Sequence, residues 1–182
     1  MRLRAIAMFL LLLSSYSGLR AADGNDACLK LVFGDYCLGG SMQQLLQQRP
    51  YGMPAQQNGD RTAVIYLEGR ERTYVMAYQG RIYKVLHTFE PSSQIKLKDL
   101  RERLVSKYGD YRDRSSYPGY ARTQASRIGS IRRGEGELHY VWWVPDGSWR
   151  VELAWTRKLG ISLAYLANEL DRQQQEVLDE GL

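Results

Sequence analysis

"TAVIYLEGRERTYVMAYQGRIYKVLHTF", residues 62–89, decides the fold class. Three runs rich in β-branched and aromatic residues are separated by Glu68-Gly69 and Gln79-Gly80, pairs suited to tight turns. The stretch therefore predicts a three-stranded antiparallel meander.

Upstream, "CLGGSMQQLLQQRPYG" (37–52) predicts a short helix, with Ser41 as N-cap, Met42, Leu45 and Leu46 as its apolar stripe and Pro50 as its stop. "MPAQQNGD" (53–60) reads as a loop. Downstream, "EPSSQIKLKDLRERLVSKYGD" (90–110) places Leu97, Leu100, Leu104 and Tyr108 on one helical face, with Gly109 as a left-handed C-cap. Residues 110–136 show no sustained period and read as a long loop. A second meander follows, from the hairpin "ELHYVWWVPDGSWRVELAW" (137–155) and the strand "KLGISLAYL" (158–166).

The order is thus helix plus three strands, twice, in units of about 38–90 and 91–167 within a single domain, 23–167. The expected fold class is α+β, an antiparallel sheet with helices packed on one face. Residues 168–182 form an acidic C-terminal tail, read as partly helical, with Glu169, Asp171, Glu176, Asp179 and Glu180 against Arg172.

"GGSMQQLLQQ" running into one meander, and "LKDLRERLVSKYG" running into another, resembles two kinds of small envelope protein. One is the small lipoprotein of the outer-membrane β-barrel assembly machine; the other, in tandem, is the β-lactamase inhibitor protein. The resemblance implies non-catalytic binding, by scaffolding at the cell envelope or by gripping an enzyme with an open sheet face. The chain departs from the first in lacking a lipid-anchor cysteine and from the second in its single early cysteine pair.

The N-terminus carries its own message. Arg2 and Arg4, then the apolar run Ala5 to Leu13, then a small-residue stretch ending at Ala21-Ala22 have the layout of a secretory signal peptide, residues 1–22. The run is too short for a transmembrane anchor, which needs about 20 residues. Removing it takes away three arginines and no acid, lowering the formal net charge from +5 to +2. The expected location is periplasmic or secreted, and nucleic acid is not an expected partner. Cys28 and Cys37, the two cysteines of the chain, are expected to pair as a disulfide in an oxidising compartment.

No catalytic motif stands out: there is no GxSxG elbow, no HExxH and no phosphate-binding glycine loop. No catalytic residue, metal ligand set or cofactor is assigned. His87 and His139 sit in strands and read as structural. Glu135, Glu137, Glu152 and Asp146 could supply a carboxylate pair, but no spacing rule selects one. The alternative function is a small periplasmic hydrolase or glycan-binding protein using His139 with Glu137 or Glu152.

The leading expectation is an exported binding module of inhibitor, immunity or assembly-accessory type. Its partner would be an envelope protein or an anionic envelope component. Arg112, Arg114, Arg132 and Arg133, with interleaved tyrosines, give residues 110–136 a basic surface rich in the side chains that interfaces favour.

All four tryptophans fall in the hairpin. Trp149, Val151, Leu153 and Trp155 share one strand face, taken as the buried one. A type I turn with Gly147 as a left-handed bulge, closed by Val144 and Ser148, would pair Trp143 with Trp149 and Trp142 with Arg150. Tyr140, Trp142 and Arg150 would then form an outward binding patch on the open side of the sheet, unless the acidic tail covers it. A two-residue Asp146-Gly147 turn would instead slip the register and put Trp143 beside Arg150.

Overall fold

The computed structural model describes residues 28–180. The proposed signal peptide, 1–22, lies outside the described residues. Cys28 and Cys37 are joined by a disulfide, whose short loop contributes about 2.5 to 3 kcal/mol by restricting the unfolded chain. It ties down a hairpin of two short strands, β1 (Lys30–Val32) and β2 (Tyr36–Leu38). Helix α1 (Met42–Gln48) follows, capped by the Ser41 hydroxyl and burying Met42 and Leu45.

The main sheet has eight antiparallel strands. Its first half is β3 (Met53–Asn58), β4 (Arg61–Glu68), β5 (Glu71–Tyr78) and β6 (Arg81–Phe89), laid side by side in chain order. The predicted meander is β4 to β6, and Gln79 and Gly80 turn it with φ of 49° and 75°, the left-handed pair of a type I′ hairpin. Strand β3 corrects the loop expected at 53–60. All six of its residues are exposed, so no apolar alternation marks it. Pro54 and an adjacent bulge make it a guarded sheet edge.

Helix α2 (Gln94–Tyr108) is capped by Ser93 and rests Leu97, Leu100, Leu104 and Tyr108 on the core, as its stripe predicts. The expected long loop holds strand β7 (Arg112–Asp113) and helix α3 (Gln124–Arg133). Thr123 and Ser126 form a reciprocal capping box, and Gly134 ends α3 in the left-handed region. The helix was not legible because its apolar face is two residues, Ile128 and Ile131, set among serine and glycine.

The second half of the sheet is β8 (Leu138–Trp143), β9 (Trp149–Thr156) and β10 (Gly160–Ala167). Strand β10 pairs antiparallel with β6, so the two meanders join into one sheet of order β3-β4-β5-β6-β10-β9-β8-β7. The main core lies on one face, where Val64, Val75, Val85, Leu153, Trp155 and Ile161 meet α1, α2, α3 and the β1–β2 hairpin. The tail is a regular helix, α4 (Asn168–Glu180), and it packs against β6, β9 and β10. Its Asp171 bonds Arg150, and Arg61 donates to the Gln174 carbonyl at 3.1 Å. Both arginines point away from the main core, so α4 lies on the opposite face to the other three helices and covers the middle of the side expected to be open.

The Trp hairpin takes the slipped register. Trp143 pairs with Arg150, Trp142 with Val151 and Tyr140 with Leu153. Asp146 Oδ1 accepts both the backbone N–H of Ser148, at 3.0 Å, and its hydroxyl, at 2.8 Å. That local ring holds Ser148 in the loop instead of the ladder. The loop becomes four residues long, Gly147 N–H bonds the Val144 carbonyl within it, and every side chain of β8 exchanges faces relative to the three-residue reading.

Candidate functional site

The slip corrects two of the expected contact residues. Tyr140 and Trp142 belong to the core; Trp142 is 1% exposed and its indole N–H donates to the Gly109 carbonyl at 3.0 Å. Tyr111 packs against both rings, at centroid distances of 4.3 and 5.2 Å. Three tryptophans do face inward, as expected, but the outward one is Trp143.

Trp143 is 42% exposed at the end of β8, beyond the strands that α4 covers. The Arg150 and Arg114 guanidinium groups approach its ring at 5.4 and 5.9 Å, a cation–π arrangement worth about 0.5 to 1 kcal/mol for an exposed pair. Arg114 N–H bonds the His139 carbonyl, which extends the β7 pairing by one step. Arg112, opposite Val141, stands on the same face by strand alternation. Arg112, Arg114 and Trp143 therefore form an exposed patch along the β7–β8 edge.

Arg150 is part of the frame beneath that patch. Its Nε donates to Glu152 at 2.7 Å, Nη1 to Asn168 at 2.8 Å and Nη2 to Asp171 at 2.6 Å. Arg150, Glu152 and Asp171 each expose 15% or less of their side chains. Asn168 also donates through its side chain to the Gly147 carbonyl, so the start of α4 clasps the hairpin turn. No signal near Arg150 marks this role, because Asp171 is 21 residues away in what reads as a solvated tail.

Glu152 is tied into the same network, with His139 and Arg150 as partners. Burial alone would raise its carboxyl, but hydrogen bonds from His139 and Arg150, with the charges of Arg150 and Lys84, override burial and hold it down at about 2 against an ordinary 4.5. Its contact with His139 is 3.4 Å, yet neither residue lines any of the three described cavities. His87 is likewise engaged, between the Thr73 hydroxyl at 2.9 Å and the Glu71 carboxylate at 2.9 Å. Thr73 is 1% exposed, and this hydroxyl, imidazole and carboxylate series links β5 to β6.

The depressed Glu152 carboxyl makes a pH prediction. A folded-state pKa below the unfolded one adds stability that is complete above about 4.5 and is lost as pH falls toward 2. A depression of that size corresponds to about 3 kcal/mol. Urea unfolding between about pH 5 and pH 2 is expected to show the decline, with a flatter slope for Glu152→Gln. An identical slope for that variant would contradict the assignment.

The remaining arginines separate. Arg133 bonds Glu135 at 3.0 Å and the Tyr120 hydroxyl at 2.7 Å, and Tyr120 also bonds Glu135. Arg132 lines a different cavity. Both ride on α3, on the core face, and cannot join the Trp143 patch. Among the described residues no group of acidic, cysteine and histidine side chains is placed to hold a metal ion, and no helix is long and apolar enough to cross a membrane.

No protein-family model matches the chain, and no curated protein matches it. Among solved structures it is similar to a cysteine-rich secretory protein of Staphylococcus aureus, with 9% identity and a TM-score of 0.38 over 71% of this chain and 44% of that one. The chain spans less than half the length of that structure, and a likeness of this strength leaves function to the chemistry of the site alone.

Proposed function

We propose that this chain is an exported, non-enzymatic binding module that presents the β7–β8 edge of its sheet to an acidic protein surface. The observation that carries the reading is Trp143, a large ring left exposed between two guanidinium groups at the uncovered end of the sheet. Tryptophan and arginine are the side chains whose burial most often dominates protein–protein affinity. Arg112 and Arg114 beside the ring set the sign of the partner. The signal-like sequence of residues 1–22 and the Cys28–Cys37 disulfide support export. The resemblance to helix-plus-meander envelope proteins supports binding over catalysis.

The test is capture from an envelope extract by immobilised wild type, Trp143→Ala, Arg114→Glu and Tyr51→Ala. Tyr51 is a more exposed aromatic, at 91%, and stands at the other edge of the sheet. Trp143→Ala is expected to weaken capture by about thirtyfold, the effect of losing about 2 kcal/mol. Its unfolding free energy should change by no more than about 1 kcal/mol. Undiminished capture by Trp143→Ala and Arg114→Glu, or equal loss with Tyr51→Ala, would overturn the proposal.

A further inference from the structure

At the opposite end of β9 from Trp143, a cleft of about 530 Å³ opens between the β4–β5 turn, the β6–α2 connection, the last turn of α3 and the β9–β10 turn. Arg70, Arg72, Arg132, Arg157 and Lys158 line it, and the one carboxylate among the lining residues is Glu90. Elsewhere five arginines are ion-paired: Arg49 with Asp35, Arg103 with Asp99, Arg133 with Glu135, Arg150 with Glu152 and Asp171, Arg172 with Glu169. Among the described residues none of the five cleft cations is in an ion pair. Arg157 donates one bond, to the Arg133 carbonyl at 2.9 Å. Five like charges around one concavity repel one another and focus a positive potential into it, a cost that a bound anion reverses.

One wall is fixed before any ligand arrives. Ser92 Oγ donates to the Phe89 carbonyl at 3.1 Å and accepts the Ile161 N–H at 2.8 Å, which pins the β6–α2 connection to β10. A Cβ at Gly160 would collide with that same hydroxyl, so the close approach there depends on glycine. Buried Ile131 and Trp155 contribute the apolar lining. A rigid site loses little on binding. Its volume falls within the range of small-molecule sites.

We propose that this cleft binds an oligoanion carrying two or more phosphate groups, either as a soluble molecule or as a lipid headgroup. The cations come from three separate segments around a space about 10 Å across if spherical, more than one oxyanion can bridge. Four guanidinium forks and an ammonium present more donors than a dicarboxylate can accept, whereas each phosphate offers three strong acceptor oxygens. Glu90 on the rim disfavours ligands whose anionic groups approach from its side.

The probe is inorganic tripolyphosphate, titrated at fixed ionic strength by calorimetry and by the fluorescence of the folded protein, since Trp155 lines the cleft. Wild type is expected to bind saturably. A variant combining Arg70→Ala, Arg132→Ala and Lys158→Ala should bind at least tenfold more weakly with an unchanged Tm, because these side chains are exposed and unpaired. A control combining Arg103→Ala, Lys107→Ala and Arg122→Ala, which removes the same charge elsewhere, should bind as wild type does. Co-sedimentation with phosphatidylglycerol vesicles, compared with phosphatidylcholine vesicles, separates the sources: retention that the cleft variant loses assigns a headgroup, and tripolyphosphate binding without retention assigns a soluble ligand. Absence of saturable binding by wild type in both arms, or equal weakening in the control, would overturn the proposal.

Discussion

Replacing Arg150 with methionine is expected to lower the unfolding free energy by about 3 to 5 kcal/mol, the cost of breaking a buried ion pair by removing one partner. The guanidinium spends all three of its nitrogens on Glu152, Asn168 and Asp171. Methionine preserves much of the volume and removes the charge, leaving two carboxylates that expose 15% and 12% of their side chains without their main counter-ion. His139 remains near Glu152, but among the described residues Asp171 keeps a long amide contact from Gln174, at 3.3 Å. The loss should spread to α4, whose start is held to the hairpin through Asn168. Hydrogen exchange should therefore speed up in residues 168–174 before it does in β9. A triple variant, Arg150→Met with Glu152→Met and Asp171→Leu, should recover most of the stability, since replacing every member of a buried charge network with apolar groups is often neutral. A loss under 1 kcal/mol from Arg150→Met alone, measured by denaturant unfolding, would show that the network is solvated and contributes little.

Trp142→Ala is expected to cost a similar 3 to 5 kcal/mol, the range for removing a large aromatic from a packed core. The ring is 1% exposed, sits beside Tyr111 and Tyr140 and supplies the hydrogen bond to the Gly109 carbonyl. Truncation would leave a cavity and remove that carbonyl's partner at the end of α2. Trp142→Phe should cost less, because it restores most of the ring volume while still losing the bond. The contrast with Trp143→Ala is decisive for the register. With a three-residue loop the large loss would fall on Trp143 and the small one on Trp142; denaturant midpoints of the two variants read the difference directly.

That pair of residues also shows how far the sequence was legible. Strands β4, β5, β6, β9 and β10 are legible because each is a β-branched or aromatic run bounded by turn residues, and the stripe and caps of α1 and α2 are equally plain. Strand β3 hides because, exposed along its length, it has no apolar face. Helix α3 hides because two isoleucines suffice to hold it. The register of β8 is harder for a different reason: with tryptophans at both 142 and 143, either pairing buries one large ring, so the pattern does not discriminate. The deciding contact is the Asp146 carboxylate on Ser148, and an Asp-x-Ser spacing within a turn is the signal that could have revealed it. Arg112 and Arg114 were identifiable as surface arginines, but their placement beside Trp143 depends on β7, which is two residues long. Arg132 was grouped with them by proximity in sequence, and the fold sends it to the far side of the sheet.

The central claim is that the β7–β8 edge is the contact surface. Its most direct measurement places a photo-crosslinking phenylalanine analogue, one position at a time, at residues 143, 112, 51 and 67 of the exported protein in living cells. Tyr51 and Leu67 are exposed at 91% and 56% on the β3–β4 side and serve as controls. The account predicts the same discrete adduct from positions 143 and 112 and none from 51 or 67. An adduct from the controls with none from 143 would contradict it.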